Sequence, residues 1–461
     1  VPDLAARLAD HIARHQLLQH GEQVAVGYSG GPDSTCLLIL LKEAGYDVVA
    51  AHLHHSQRDE ADAELAACER LAQEFEIPFL AGKADVPTIA ALNKLGIEEA
   101  GRHARYEFFR QIALSLGGCK VATAHTLDDH VETILLNLAR GAGPRGLAGI
   151  PVLREGIVRP LLFARRAESK AFCESRNLWT HDDPSNSDRS FARVRARFDV
   201  TPGFETLHER AFENASRSAE IAREEDALLD AWAVQTIASA AVEDDSPLAF
   251  LTRDVELRLL RSRLAEHPRA LVRRCIRLLG EALGVEPDFA QTESIVEAVF
   301  REEKSSVTLE GGAVVIESSA DEVLGRRLER PPQFRQPLTV PGETISDALG
   351  WRIAASETGS DPAREARSLW QVADASAIKG ALYAKPFEPG DRMTPFGADS
   401  ARKLQDLLTN AKVSGAAKAR LPIICDMVGP IWVPGVSLAH RVRVTPDTAR
   451  RLLLEFGPPE P

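Results

Sequence analysis

Between residues 24 and 177 short apolar runs alternate with stretches of helical period, and few folds accommodate that rhythm. After a first helix over 3–16, the runs 24–28, 47–53, 77–81, 119–124 and 156–162 read as buried strands. The stretches 34–44, 59–75, 98–116, 127–139 and 165–177 read as helices. Strands that alternate with helices in this way predict an α/β fold, a mainly parallel doubly wound sheet with helices on both faces. In such a sheet ligands bind outside the carboxyl ends of the strands, so the chemistry is expected there.

Past this region the pattern changes. Residues 204–283 carry helical signals alone, 306–317 reads as a short hairpin, and 330–342 (RPPQFRQPLTVPG) is a proline-rich linker. Beyond it, short β-like runs mix with one helix over 401–410, as in a small α+β domain. A chain of 461 residues exceeds one ordinary core, so two or three domains are expected from length, and the pattern changes divide it as 1–203, 204–329 and 330–461. No apolar run reaches the roughly 18 residues of a membrane helix, and the opening VPDLAARLADHIARH does not read as a signal peptide. The six cysteines are scattered with no CxxC pair, which reads as reduced thiols and a cytoplasmic location. A net charge of −12 weighs against a generally basic nucleic-acid binder but leaves room for local basic patches.

The first run leads into Ser29-Gly30-Gly31-Pro32-Asp33-Ser34, and a helix follows at once. Glycines let the backbone approach a ligand, and amides at a helix start favour an anion. There is no GxxxxGK[ST], so the loop suits pyrophosphate held while an α-phosphate reacts. The segment resembles the SGGxDS signature of the PP-loop ATP pyrophosphatase superfamily, whose members activate substrates by adenylation. The resemblance implies that Ser29, Gly30, Gly31, Pro32, Asp33 and Ser34 bind ATP. Asp33 is the expected Mg²⁺ ligand. The GxGxxG match Gly141–Gly146 follows a helix, not a strand, and reads as a loop.

The fourth run ends in Ala124-His125, followed by Thr126-Leu127-Asp128-Asp129-His130-Val131-Glu132. With a helix starting near Leu127, Asp129 and Glu132 share a face, where they could hold a magnesium ion or an ammonium group. Capping by Asp128 or Asp129 is the plain alternative. The longer run AHTLDDHVETILLNLARGAGPRGLAGI resembles the AHxxDDxxET…RGxGxxGLxGI segment of the tRNA(Ile)-lysidine synthetase family. That resemblance implies that Asp129 and Glu132 face the amines of L-lysine and that His125 lies near ATP. Thr126 and His130 stand where histidine and glutamine are common in that family.

Other segments extend the resemblance. His52-Leu53-His54-His55-Ser56-Gln57-Arg58 resembles the family's segment beside the nucleotide, which places His54 at ATP. A zinc site there lacks a Cys or carboxylate partner at metal spacing. Glu99–Tyr106 resembles E-x-x-x-R-x-x-R-Y, which gives Arg105 a catalytic role and Arg102 one near ATP or RNA. A solvated stripe is the alternative for Arg102. The segment from Trp179 to Asn186 and then to Arg197 resembles W-x-x-DPSN…RNxxR, with Val194 in place of asparagine. If extended, Arg193, Arg195 and Arg197 point to one side and could contact phosphates. In the helical stretch, Arg258, Arg261, Arg263, Arg269, Arg273, Arg274 and Arg277 crowd together. Arg273 and Arg277, one turn apart, are candidate RNA contacts, or simply a solvated face. Pro389–Gly397, with Arg392, resembles the family's C-terminal module.

The resemblance therefore implies an ATP-dependent RNA-modifying ligase. Lysine joins the wobble cytidine of a tRNA(Ile) with a CAU anticodon through an adenylated cytidine. The first domain would hold ATP and lysine, and the other two would contact tRNA. No membrane partner is expected, and a homodimer is left open. Two other readings stand beside it. A thiolase-like PP-loop enzyme would use cysteines to carry sulfur, commonly as a CxxC pair. A non-catalytic tRNA- or nucleotide-binding protein would not need Asp33, Asp129 and Glu132.

Overall fold

The computed structural model describes residues 4–54, 61–181, 188–242, 246–309, 312–328, 333–359 and 368–459. The chain folds as two compact units, Val1–Leu228 and Leu229–Pro461.

The first unit opens with helix α1 (Leu4–Arg14). Strand β1 (Gln23–Gly27), helix α2 (Pro32–Glu43), strand β2 (Asp47–His54), helix α3 (Ala61–Glu74) and strand β3 (Phe79–Lys83) follow. Next come α4 (Val86–Asn93), α5 (Ile97–Ser115), β4 (Lys120–Ala122), α6 (Leu127–Ala139) and a single turn α7 (Pro144–Leu147). Strands β5 (Leu153–Arg154) and β6 (Ile157–Val158) precede α8 (Arg166–Ser175), α9 (Ala192–Arg195), a π-helical turn Ala196–Val200 and α10 (Thr201–Thr206). Helix α11 (Ala211–Ala240) then continues into the second unit.

The sheet order is β3-β2-β1-β4-β6-β5, parallel throughout except for the β5–β6 pair. The mainly parallel α/β fold read from the alternation is therefore present. Val24, Ala25 and Val26 of β1 are fully buried, as a central strand covered on both faces must be. Helix α2 has no exposed stripe. Cys36 to Leu41 are each at most 1% exposed, and each large side chain there contributes about 1.5–3 kcal/mol of burial.

Strand β1 pairs with β2 on one side and with β4 on the other. The strand order reverses between β1 and β4, so a crevice opens past their carboxyl ends. The phosphate loop follows β1, and the acidic start of α6 follows β4.

Among the differences from the sequence reading in this unit, two concern its strands and helices around the sheet. The strand expected over 156–162 is only Ile157–Val158, because Pro160 has no amide to continue the ladder and the chain turns, Leu162 N bonding Arg159 O at 3.3 Å. Helix α4 was not expected; Asp85 caps it through Thr88 N and Thr88 Oγ1, with a proline in its first turn.

The second unit carries β7 (Glu256–Leu260), α12 (Arg261–Ala265), α13 (Arg269–Ala282), α14 (Phe289–Arg301), β8 (Ser305–Leu309), β9 (Val314–Ser318) and β10 (Glu322–Arg327). The expected hairpin is β8–β9, but it belongs to a four-stranded antiparallel sheet ordered β7-β10-β9-β8. Strand β7 corrects the reading of 204–283 as helices alone. Leu257 and Leu259 alternate with Glu256 and Arg258, whose side chains bond each other at 2.7 Å, and charged leucine-rich sequence hides that two-residue period.

Beyond 333, a five-stranded and a four-stranded antiparallel sheet enclose a core around the fully buried Trp351 and Trp432. Helices Leu404–Asn410 and Gly415–Arg420 complete it.

Candidate active site at the sheet switch point

The loop after β1 is built around Gly30, whose φ is +80°. A Cβ there would lie 2.9 Å from Cys68 Sγ and 3.1 Å from the Trp179 ring, so glycine is required by conformation and by space. Gly31 is the N-cap of α2, and Pro32 occupies its first turn. Ser34 Oγ accepts from Ser29 N at 3.2 Å and donates to Gly31 O at 3.0 Å, which closes the loop on itself. Asp33 sits in the first turn. Burial and the repulsion of Asp129 push its carboxyl up to about 7, against the pull of Arg166.

Across the crevice, Thr126 and Asp129 form a capping box. Asp129 Oδ2 accepts from Thr126 N at 2.9 Å, and Thr126 Oγ1 accepts from Asp129 N at 3.4 Å. The capping alternative thus holds for Asp129, but only for one of its oxygens. Its Oδ1 lies 2.9 Å from Arg166 Nη2, 3.1 Å from Arg193 Nη2 and 3.6 Å from Arg197 Nη2. Burial opposes its negative charge, but Arg193 and Arg166 outweigh that and hold it far below the usual carboxylate range. Glu132 is buried to 1%. Arg166 and Arg197 meet its Oε1 at 3.2 and 2.8 Å, and Arg193 Nε meets Oε2 at 3.2 Å.

Sequence reasoning missed Arg166. Together with Asp33, which lies 3.8 Å from its Nε, it bridges the phosphate loop and the acidic pair. A signal existed. Arg165 and Arg166 stand at the N-terminus of α8, where the helix dipole disfavours cations. Four acidic side chains compensate: Asp128, which bonds Arg165 and the Arg166 amide, with Glu168, Asp129 and Glu132.

The expected strip of Arg193, Arg195 and Arg197 is not extended. Its helical backbone brings Arg193 and Arg197 to the same carboxylates, while Arg195 turns away to Arg189 O and Ser190 O. Val194 is buried between them in sequence. His125 bonds Thr123 Oγ1 through Nδ1 at 3.0 Å, and burial, with help from nearby arginines including Arg105, lowers it to about 4, so it is neutral at pH 7. Arg105 and Arg102 are exposed on α5, Arg102 lying over the Tyr106 ring. His54 is buried at the carboxyl end of β2, and His52 Nδ1 meets Tyr28 O at 2.9 Å. The readings on 55–58 and 182–186 lie outside the described residues.

In the second unit Arg273 is 2.5 Å from Glu293, and Arg277 pairs with Glu286. Arg392 donates to Ala401 O at 3.0 Å, while its neighbour Asp391 bonds Lys385 Nζ at 2.8 Å.

A magnesium ion is usually held by one or two carboxylates together with substrate phosphates. Asp33 suits that role: its Oδ1 is buried without a hydrogen-bond partner beside the loop. Among the described residues no group of three or more His, Cys, Asp or Glu forms a cage of its own.

Residues 3–204 match the PP-loop domain family, and 384–454 match the TilS substrate C-terminal domain. A tRNA(Ile)-lysidine synthase of Dehalococcoides mccartyi is 31% identical over 98% of this chain and 99% of its own length. The enzyme of the same name from Symbiobacterium thermophilum is 32% identical over 97% and 96%. That of Geobacter sulfurreducens is 30% identical over 94% and 93%. With relatives of 30–32% identity matched over nearly the whole of both chains, the chain belongs to the tRNA(Ile)-lysidine synthase family, ATP-using enzymes that modify tRNA.

Proposed function

We propose that this chain joins L-lysine to the wobble cytidine of a tRNA(Ile) with a CAU anticodon, with release of AMP and pyrophosphate. The observation that carries the reading is the meeting of an anion-binding loop and a buried carboxylate pair at one sheet crevice. In the first step the cytosine O2 attacks the α-phosphorus of ATP, and the bond to the β-phosphate oxygen breaks. The backbone amides of Gly30, Gly31, Asp33 and Ser34 hold the departing pyrophosphate, as a helix N-terminus favours; Pro32 between them has no N–H to give. Magnesium, held at Asp33, would screen the phosphates. In the second step the ε-amine of lysine, as its free base, attacks C2, O2 leaves with AMP, and the proton shed by the new C–N nitrogen passes to solvent. Asp129 and Glu132 supply negative charge that can orient an ammonium. His125 is neutral and can share a hydrogen bond with the nucleotide. The cytidine must be splayed out of its loop to reach the crevice.

The sulfur-transfer reading finds no support. Burial pushes the thiols of Cys68, Cys173 and Cys275 up to about 12, that of Cys425 to about 11, and those of Cys36 and Cys119 upward too, which disfavours the thiolates such chemistry needs.

The test is incorporation of labelled lysine into an unmodified tRNA(Ile) transcript with a CAU anticodon, with ATP and magnesium. The control is tRNA(Met), which shares the anticodon. Label in the isoleucine transcript alone is expected. No label in either, from folded protein that binds ATP, would refute the ligation.

A further inference from the structure

The carboxylates that are to receive an ammonium already have cationic partners. Asp33, Asp129 and Glu132 bring three negative charges when ionised, and Arg166, Arg193 and Arg197 bring three positive ones. The carboxylate of Glu132 is 1% exposed, whereas the side chains of Arg166, Arg193 and Arg197 are 29%, 34% and 21% exposed. A ligand approaching Asp129, whose side chain is 13% exposed, or Glu132 therefore meets guanidinium first. That face suits phosphate, and an amine entering it meets repulsion. Stripping a guanidinium from a buried carboxylate without replacement leaves an uncompensated buried charge, which is strongly unfavourable. An exchange is cheap only if another cation arrives and another anion receives the guanidinium.

Arg166 reaches both sides of the crevice: its guanidinium lies 3.8 Å from Asp33 of the phosphate loop and 2.9 and 3.2 Å from Asp129 and Glu132. Resting on the ligation reading above, we propose that Arg166 is a shared counter-ion. It neutralises Asp129 and Glu132 in the empty site, swings to the nucleotide's phosphates when ATP binds, and leaves its place to the lysine ammonium. Nucleotide and amine are then positively coupled, and by linkage the coupling is the same in both directions. The arrangement also keeps amines out of a site that holds no nucleotide.

The experiment is titration of the full chain with L-lysine, with and without magnesium and α,β-methylene-ATP, an analogue that cannot release pyrophosphate. Lysine is expected to bind about tenfold more tightly with the analogue present, a coupling in the usual range. Equal affinity overturns the exchange, and this comparison needs no variant. In Arg166→Gln, lysine should bind equally with and without the analogue; a persisting difference removes Arg166 as the carrier. Glu132→Gln removes one of the two charges of the pair that holds the guanidinium, leaving Asp129, and should tighten binding of the analogue several-fold, a readout independent of lysine. Unchanged or weaker analogue binding in folded Glu132→Gln overturns the exchange. Lysine failing to bind in every state, with Glu132→Gln tightening the analogue, would sink lysine as the amine and uphold the exchange.

Discussion

The ring of His130 accepts a hydrogen bond from the amide of Ile150 at 3.0 Å, joining the first turns of α6 to the loop that follows α7. Nδ1 is therefore the unprotonated nitrogen. The ring is 2% exposed and lies against Gly149, whose φ is +62° and whose Cβ, if it had one, would fall 2.6 Å from the imidazole. Burial, aided by Arg223, lowers His130 to about 4.

That lowering fixes the direction of a pH effect. Below an unfolded value near 6.5 the unfolded chain binds a proton that folded His130 refuses until about pH 4. The stabilisation is complete above 6.5 and is lost as pH falls towards 4, for a total of about 3 kcal/mol. His130→Gln should flatten the acid side of the stability curve of the first unit by about that amount. Urea unfolding at a series of pH values measures it, and parallel curves for the two proteins would refute the assignment.

Gly30→Ala tests the loop. The left-handed φ and the contacts with Cys68 and Trp179 leave no room for a methyl group. A loss of about 1–3 kcal/mol is expected, since the strained backbone alone costs that order. Affinity for an ATP analogue should fall at least about tenfold, because the loop amides shift. Calorimetry would show both, and unchanged nucleotide affinity would contradict the assignment of the loop.

Asp33→Asn separates stability from activity. The carboxyl at position 33 is held up to about 7 by burial and by Asp129, so its charge is unfavourable to the fold above that pH. At alkaline pH the amide should leave stability equal or higher, by about 1 kcal/mol after allowance for partial exposure. Pyrophosphate release in the presence of tRNA should fall by at least about a hundredfold, if Asp33 holds the metal. An active Asp33→Asn enzyme would remove that role.

The C-terminal unit offers a contrasting case. Asp426 is fully buried and accepts from Lys379 N, Val428 N and Gly429 N, with Arg441 bonding both its oxygens at 2.9 and 2.6 Å. Burial raises the carboxyl, but Arg441 and the amides outweigh it and hold it low. Asp426→Ala should destabilise this unit by about 3–5 kcal/mol, the usual cost of leaving one partner of a buried pair. ATP-analogue binding should stay unchanged. Thermal unfolding and nucleotide titration on one sample check the two halves of this expectation.

Much of the first unit was legible because its local signals agree with its fold. Helix α6 runs over Leu127–Ala139 as read, since Thr126 caps it and the apolar spacing holds to its end. The phosphate loop was legible for the same reason, strand, glycines and helix start lying in immediate succession. Strand β7 was not, because a five-residue period of two is short beside long helical neighbours. The arginine clasp was the least legible. Arg166 is 34 residues from Glu132, and Arg197 is 65 away. Charge pairing over such distances leaves no periodicity, and an assumed extended backbone sent Arg195 to the wrong side.

Helix α2 has no solvent-facing side between Cys36 and Leu41, although its first turn is the floor of the phosphate loop. A cradle mounted on so enclosed a rod has little freedom to drift. The same enclosure makes the rod intolerant: an added methylene at Leu38 or Ile39 finds no slack, and the displacement runs along the axis to the loop. Random mutagenesis selected only for activity would then recover these six positions as strictly as the glycines, although none of them need ever touch a substrate.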